Sequence, residues 1–553
     1  MSYLAATVSS AEPRSSQQQQ QEGDIEQQQQ QQQQQHGNVA SHATSNERAE
    51  KSSSSSSSSS LKQPHQQPFS SSATITSRIP LLRPLQRIGE RLGHYHVESV
   101  SVAPVPLEAR TEKKWWSVGL LWFSANFNVL SFSTGTLVST LELSAAGAFC
   151  TIVFFCLFSA LFPAFFVTFG PRLGMRQMIH TRYSWGWFAP LIAILNAASL
   201  CGYTILNCIL GGQTLSAVSP NGSLTPTVGI VIVAIVSLVV SFMGIRVLHA
   251  FERWLWVPVL ICFCILAGLA RSGPSGLHFP TPEPATTSEG VLAMASIVIG
   301  FLVSWSGIAS DVSSYMDPAT TPTWGLFGVT FLGFFLGSCP LFLLGAAFGL
   351  SSLDNPAWDT ALSESNGALF NLVLSSKAGN FGKFITVLLG LSIIGNTAPS
   401  IYSFGLSMPA ILPALRHVPR FVFPLVAIAI VIPLSIVGAS AFYDTLVSFT
   451  SVLAYWSALF VAVVLVDHWV VRRNDMASYD PAIWCQWKKL PLGLAAIISA
   501  VVSLAVLVPS ISQTWFTGPI AEHVGDLGFE LGFVCCALLY APLRFLEKRL
   551  VGR

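Results

Sequence analysis

The chain is 553 residues long, 51% of them hydrophobic and only 10% charged, with 37 Phe and 15 Trp. This composition excludes an ordinary soluble domain and predicts an all-α polytopic membrane protein whose solvent is the lipid bilayer. The formal net charge of +2 excludes a global electrostatic case for nucleic acid as a partner, so the information lies in where the charges sit.

Residues 1–77 hold two poly-Gln tracts, Gln17–Gln21 and Gln27–Gln35, and a poly-Ser run, Ser52–Ser60. Such a segment cannot bury enough apolar surface to fold, which predicts a disordered cytosolic tail, and its lack of an apolar h-region argues against a signal peptide. Residues 78–115 are basic and partly apolar, with Arg83, Arg87, Arg91, Arg110, Lys113 and Lys114, as expected of a cytosolic approach to a membrane.

From Trp116 onward, apolar runs of about twenty residues recur, each long enough to cross a hydrocarbon layer of roughly 30 Å. They predict twelve spans, at 116–138, 144–168, 188–218, 226–244, 254–271, 290–310, 324–350, 382–407, 419–438, 443–467, 490–510 and 525–546, with a short cytosolic tail at 547–553. The positive-inside rule tests this count, because one misassigned span flips the side of every later loop. With a cytosolic N-terminus, the inside loops and tail collect Arg172, Arg176, Arg182, Arg246, Arg253, Arg416, Arg420, Arg472, Arg473, Lys488, Lys489, Arg544, Lys548, Arg549 and Arg553. The outside loops hold only Arg271, Lys377 and Lys383, together with an N-glycosylation sequon at Asn221-Gly222-Ser223. The expected address is the plasma membrane, with both termini cytosolic.

All cysteines but Cys485 fall within or beside apolar stretches and read as small apolar side chains. Neither Cys262-Phe-Cys264 nor Cys535-Cys536 has the paired spacing of a metal site, so no metal or cofactor is expected.

Polar side chains inside lipid are tolerated only where they face protein or a water-filled cavity, and four spans concentrate them. Span one reads "WFSANFNVLSFSTGTL" and span six "IGFLVSWSGIASDVSSY", each interrupted by Gly and Ser. First and sixth are equivalent places if the chain is five spans repeated in inverted sense plus two. Interrupted spans at matching positions point to a transporter binding site. That scheme divides the transporter domain, 116–546, into a first repeat at 116–271, a second at 290–467 and extra helices at 490–546.

Span three places Asn196, Tyr203, Asn207 and Gly211 on one helical face, and span eight does the same with Ser392, Asn396, Pro399 and Ser403. Pro399 has no N–H for the carbonyl of Gly395, which predicts a kink and a free carbonyl one turn from Asn396. Asn207 and Asn396 could pair with the edge of a planar heterocycle, and Tyr203 or Trp305 could stack on its face. The competing reading for each is interhelical packing, since Ser, Thr, Gly and Asn are common between membrane helices.

At these residues the chain resembles the fungal purine-cytosine permeases of the nucleobase-cation symporter group, from about Glu98 to the C-terminus. The resemblance is carried by "FGPRLGMRQMIHTRYSWG" (169–186), "NCILGGQTL" (207–215), "IYSFGLSMP" (401–409) and the span-one stretch quoted above. It implies a LeuT-like fold of two inverted five-helix repeats plus two C-terminal helices, alternating access, and uptake of cytosine and purines coupled to protons. It also implies a small planar heterocyclic substrate stacked on Tyr203 and Trp305, bonded by Asn207 and by Asn396, Thr397 and Pro399, with a span-one hydroxyl at Ser133. Tyr203 stands where the family usually has Trp, Thr397 where it has a second Asn, Ile308 where many members have an aromatic and Val312 where Tyr is common. Some similar proteins carry vitamin B6, so pyridoxine competes with the nucleobases.

Ionisable residues in a membrane are functional candidates by default, and Glu142, Glu252, Asp311, Asp444 and Asp467 lie at or near span ends. Asp311 is a candidate proton carrier, the competing reading being a helix-end cap. Sodium-coupled relatives use span-eight hydroxyls with span-one carbonyls, and only Ser392 is suitably placed here, which favours protons. The basic loop with Arg172, Arg176 and Arg182 reads as a lipid-phosphate contact, a gate, or loop packing. Enzyme motifs and channel filters are missing, which leaves a transporter, or a nutrient sensor built on a transporter scaffold.

Overall fold

The computed structural model describes residues 102–219, 222–271, 276–412, 414–415 and 418–553. The Gln/Ser tail, most of the basic segment, Asn221 of the sequon and Arg416 lie outside the described residues. Lipid offers the backbone no hydrogen bonds, so each apolar run closes its own as a helix. The main helices are α1 (Ser117–Asn126), α2 (Val129–Thr136), α3 (Ala145–Phe166), α4 (Ala189–Ser216), α5 (Pro226–Phe242), α6 (Gly244–Arg271), α7 (Ser288–Val303), α8 (Thr323–Ser352), α9 (Pro356–Glu364), α10 (Asn366–Ser392), α11 (Ile394–Ile411), α12 (Val422–Gly438), α13 (Phe442–Val466), α14 (Leu494–Leu507) and α15 (Gly528–Val551). Many starts are written locally: the side chains of Ser144, Thr225, Thr287, Asn355 and Ser365 accept backbone N–H groups as N-caps of α3, α5, α7, α9 and α10.

Each of the twelve expected spans coincides with helix among the described residues. Three differ in detail. Span five begins at Gly244, not at 254, which carries Glu252 well inside α6. Span eight extends back to Asn366 through a turn at Gly379 (φ 55°, ψ −130°) and is interrupted at Ile393. The interruption precedes Pro399: the Ile393 carbonyl accepts from Asn396 N, Thr397 N and the Thr397 hydroxyl, a tight turn that ends α10.

Spans one and six are both broken. α1 ends at Asn126, and Asn128 in extended conformation caps α2 by accepting from Leu130 N at 2.8 Å. α7 gives way at Val303 to two 3-10 turns, Ser304–Gly307 and Ala309–Val312.

The packing falls into two groups of four spans. In one, α8 runs along α1, α2 and α3 while α7 packs on α3; in the other, α4 meets α5, α11 and α12, and α5 meets α11 and α12. The contacts exchange under a shift of five spans: α1 on α8 matches α7 on α3, α4 on α12 matches α11 on α5, and α6 on α1 matches α13 on α7. This is the pairing expected of an inverted repeat. α14 and α15 pack on each other, and α15 on α13. Asp467 anchors this end, pairing with Arg472 at 2.5 Å and accepting from the Tyr540 hydroxyl at 3.0 Å, while Glu547 caps α14 through Gly493 N and Ala495 N.

The α7–α13 contact depends on Gly300, whose missing side chain lets the Thr450 carbonyl close on the backbone. Gly300→Ala is expected to force the helices apart, at a cost of about 1–3 kcal/mol or more, and to reduce surface delivery severalfold. Fluorescence of a tagged chain at the cell edge measures it, and undiminished surface signal with normal transport refutes the close approach.

Candidate functional site

A broken helix exposes carbonyls that an intact one would use internally, and here other side chains take them up. The Ala125 carbonyl, at the end of α1, accepts from Asn396 Nδ2 at 2.8 Å and from Asn128 Nδ2 at 2.7 Å. The Asn126 carbonyl accepts from the Ser131 hydroxyl and from Asn128 N. The break in span one is thus held directly by α11.

α4 delivers Tyr203 and Asn207 one turn apart on a single face. The Tyr203 ring stacks on Trp305, with centroids 5.7 Å apart and planes 14° from parallel. The Tyr203 hydroxyl lies within 3.1 to 3.3 Å of the Phe301 and Gly300 carbonyls and 3.1 Å from Ser304 Oγ, so it is anchored on the exposed carbonyls that close α7. Phe449 and Phe301 meet the Tyr203 ring edge-on at 5.3 and 6.0 Å, and Trp122 meets Trp305 edge-on at 5.4 Å. One turn further along α4, Asn207 Nδ2 donates to Asn396 Oδ1 at 2.8 Å. A ring pair and an amide pair, all four side chains buried, therefore sit together where α4, α7, α11 and the break of span one converge.

Of the residues singled out from the sequence, Tyr203, Asn207, Trp305 and Asn396 are brought together in this way. Ser392 adjoins them: its hydroxyl donates to the Leu389 carbonyl at 2.6 Å and accepts from Val129 N, the first residue of α2, at 3.2 Å. The Thr397 hydroxyl is turned back onto the Ile393 carbonyl at 2.9 Å, and Pro399 is buried in α11. Ser133 is buried on α2 with its hydroxyl unbonded.

Asp311 is tied to the loop between α3 and α4. Its carboxylate accepts from Gln177 N at 2.8 Å, capping the short helix Gln177–His180, and its backbone carbonyl accepts from Arg176. Arg176 and Arg182 in that loop are only 2% and 1% exposed. Arg182 donates to the Ala410 and Trp484 carbonyls at 3.0 and 3.1 Å, and its guanidinium lies over the Trp487 ring. Of the three expected loop arginines, only Arg172 makes its hydrogen bond at the exposed surface, to Thr323 Oγ1 at 2.6 Å.

Several polar atoms of the ring and amide pairs and their chain neighbours are buried without a hydrogen bond: Asn207 Oδ1, Asn126 Oδ1, Trp305 Nε1 and Ser306 Oγ. Buried polar groups are nearly always bonded, so these atoms leave hydrogen-bonding capacity unused at the ring and amide pairs. Reading the sequence did not single out Trp122 or the Ala125 carbonyl. The available signal was Trp122 four residues before Asn126, which places both on the face of α1 that leads into the break.

Two discontinuous helices meeting a ring- and amide-lined interior define the class, a multi-pass membrane transporter of LeuT-type fold. The chain covers 96% of Mhp1, a nucleobase-cation-symport-1 family transporter solved in a closed conformation with bromovinylhydantoin bound, at TM-score 0.63 and 16% identity over 82% of this chain. Residues 104–532 match the family described as permease for cytosine/purines, uracil, thiamine, allantoin, and the chain belongs to that family. It is 33% identical over 475 residues to the purine-cytosine permease fcyB of Emericella nidulans, covering 85% of this chain and 92% of that one. It is also 26% identical over 546 residues to the vitamin B6 transporter TPN1 of Saccharomyces cerevisiae, covering 88% and 93%. The relatives are permeases, and the chain is a transport protein rather than an enzyme.

Proposed function

We propose that this protein is a secondary active transporter that imports nucleobases, namely cytosine and purines such as adenine, guanine and hypoxanthine, across the plasma membrane by proton symport. The observation that carries the reading is the ring pair Tyr203–Trp305 set one helical turn from the amide pair Asn207–Asn396, with orphan donors and acceptors around both. A nucleobase has a flat face for the rings and an edge of alternating donors and acceptors for the amides. A ring inserted between Tyr203 and Trp305 needs about 7 Å between their centroids, two stacking distances. The observed 5.7 Å belongs to a closed arrangement that opens for substrate. The name of the Emericella nidulans relative supports the substrate class.

Site residues in this reading are Tyr203, Asn207, Trp305 and Asn396, with Thr397, Pro399 and Ser133 shaping the wall. In alternating access the group of spans one, two, six and seven moves against the group of spans three, four, eight and nine, each group drawing two spans from each repeat (116–271 and 290–467), with the helices at 490–546 outside the repeat and both termini cytosolic. Protons are favoured over sodium because the oxygens at the break are already engaged. Ser392 Oγ serves Val129 N, and the Ala125 and Asn126 carbonyls serve the amides and the Ser131 hydroxyl.

The second reading is pyridoxine or a related small heterocycle, favoured by the match to the vitamin B6 transporter and by Thr397, whose hydroxyl is spent on its own helix. Radiolabelled cytosine or adenine is expected to accumulate in permease-null yeast expressing this chain, and a protonophore to abolish the accumulation. Competition among cytosine, adenine, hypoxanthine, uracil and pyridoxine ranks the substrates. Pyridoxine uptake without nucleobase uptake, despite surface expression, overturns the assignment, and absence of any accumulation points to a sensor.

A further inference from the structure

We propose that the carboxyl group of Glu252, on α6, takes up and releases the proton that accompanies substrate. The inference rests on the proton-symport reading above and assigns the proton to a residue. Among the described residues the buried carboxyl side chains are Glu252, Asp311, Asp467, Asp526 and Glu547. Four of them have donors: Gln177 N for Asp311, Arg472 and Tyr540 for Asp467, Tyr455 and Gln513 for Asp526, and Gly493 N and Ala495 N for Glu547. Glu252 is fully buried, and among the described residues its carboxyl has no cation or backbone N–H as partner, only the neutral Ser124 hydroxyl beside it. Glu142 and Asp444, the other carboxylates singled out from the sequence, are exposed. An unpaired carboxylate inside a membrane protein carries an uncompensated charge, and binding one proton removes it.

Its position connects that proton to the substrate site. A Cβ added at Gly395 would stand 3.1 Å from Glu252 Oε2 and 3.4 Å from the Ser124 carbonyl, so the carboxyl and the Ser124 carbonyl both approach the Gly395 backbone. Gly395 immediately precedes Asn396, and Ser124 immediately precedes Ala125, the two residues joined by the 2.8 Å bond across the break. Any motion of span one relative to α11 changes what Glu252 faces, and alternating access requires such a motion.

Few other charges compete there. Of the helices packed against α6, α1 and α5 carry no titratable side chain; α11 carries Tyr402, which lies under the Arg420 guanidinium. α10 carries Lys377 and Lys383, and Lys377 donates to the Leu269 carbonyl at the far end of α6. On α6 itself His249 lies 3.3 Å from the Val312 carbonyl, next to the capped Asp311, and Arg253 lies over the Trp116 ring. The step is a simple balance: the carboxylate accepts a proton from the outer solution as substrate binds and returns it to the inner solution after release, with no bond broken but that O–H.

The test compares the full chain with Glu252→Gln in proteoliposomes, reading cytosine accumulation driven by an acid-outside pH gradient and cytosine exchange at equal pH. The expected result is a loss of gradient-driven accumulation of at least tenfold with exchange retained. Gradient-driven accumulation at the parental level overturns the role of Glu252 while leaving proton symport intact. An unsubstituted chain that exchanges cytosine but ignores the gradient instead overturns the symport reading. If Glu252→Gln loses exchange as well, Glu252→Asp decides: recovery of both activities with a displaced pH midpoint supports the proposal, and loss of both overturns it.

Discussion

Asn396→Ala is expected to lower nucleobase uptake about a hundredfold while the protein still reaches the cell surface. The Asn396 amide joins α4 to the break of span one, accepting from Asn207 and donating to the Ala125 carbonyl. Its truncation leaves the Asn207 Nδ2 without its acceptor and removes one of two donors from the Ala125 carbonyl. A buried polar group left unpaired costs about 1–3 kcal/mol, and about 2.7 kcal/mol corresponds to a hundredfold. The loss falls on transport because these are the groups that face substrate in the proposed site. Initial uptake rates alongside surface fluorescence separate the two effects. Unchanged uptake constants reduce Asn396 to interhelical packing.

Trp305→Ala is expected to raise the substrate concentration for half-maximal uptake between about tenfold and a hundredfold. Base–aromatic stacking is worth about 1–3 kcal/mol per base by alanine substitution, and Trp305 is the ring that Tyr203 faces in parallel. The substitution also removes one of the two aromatic partners of Trp122, leaving Phe334, and opens a hole at a buried position. Trp305→Phe serves as the control, since it restores a ring face at smaller volume and should recover part of the affinity. If half-saturation stays within twofold in the alanine variant, the stacking role is wrong.

The two predictions differ in how they became visible. Asn207 and Asn396 each stood out in the sequence as an amide on an apolar helix, with a packing role equally open. Only the 2.8 Å bond between them shows that they are paired across 189 positions of chain. Thr397 stood out as the residue departing from the family pattern, and its hydroxyl proves to be satisfied by its own helix. Asp311, expected at the end of span six, sits there and caps a loop helix, which its neighbours Ser310 and Ser313 in the sequence did not disclose. Glu252 reads from the sequence as one of several candidates at a span end, because charge ends an apolar run in any hydropathy reading, whereas the helix begins at Gly244 and buries the carboxyl.

The twelve spans, the broken first and sixth helices and the family were legible in the sequence, because spanning length, helix interruption by Gly, Ser and Asn, and motif order are properties of neighbouring residues. The tertiary structure alone decided which buried polar groups are partnered. Hydrogen bonding inside a membrane protein joins side chains on helices far apart in sequence, and whether a carboxyl or amide is satisfied or orphaned depends on what packing brings within about 3 Å of it. That is why Asn396 and Ser392 emerge as engaged, Asn207 Oδ1 and Trp305 Nε1 as open, and Glu252 as buried beside a neutral hydroxyl.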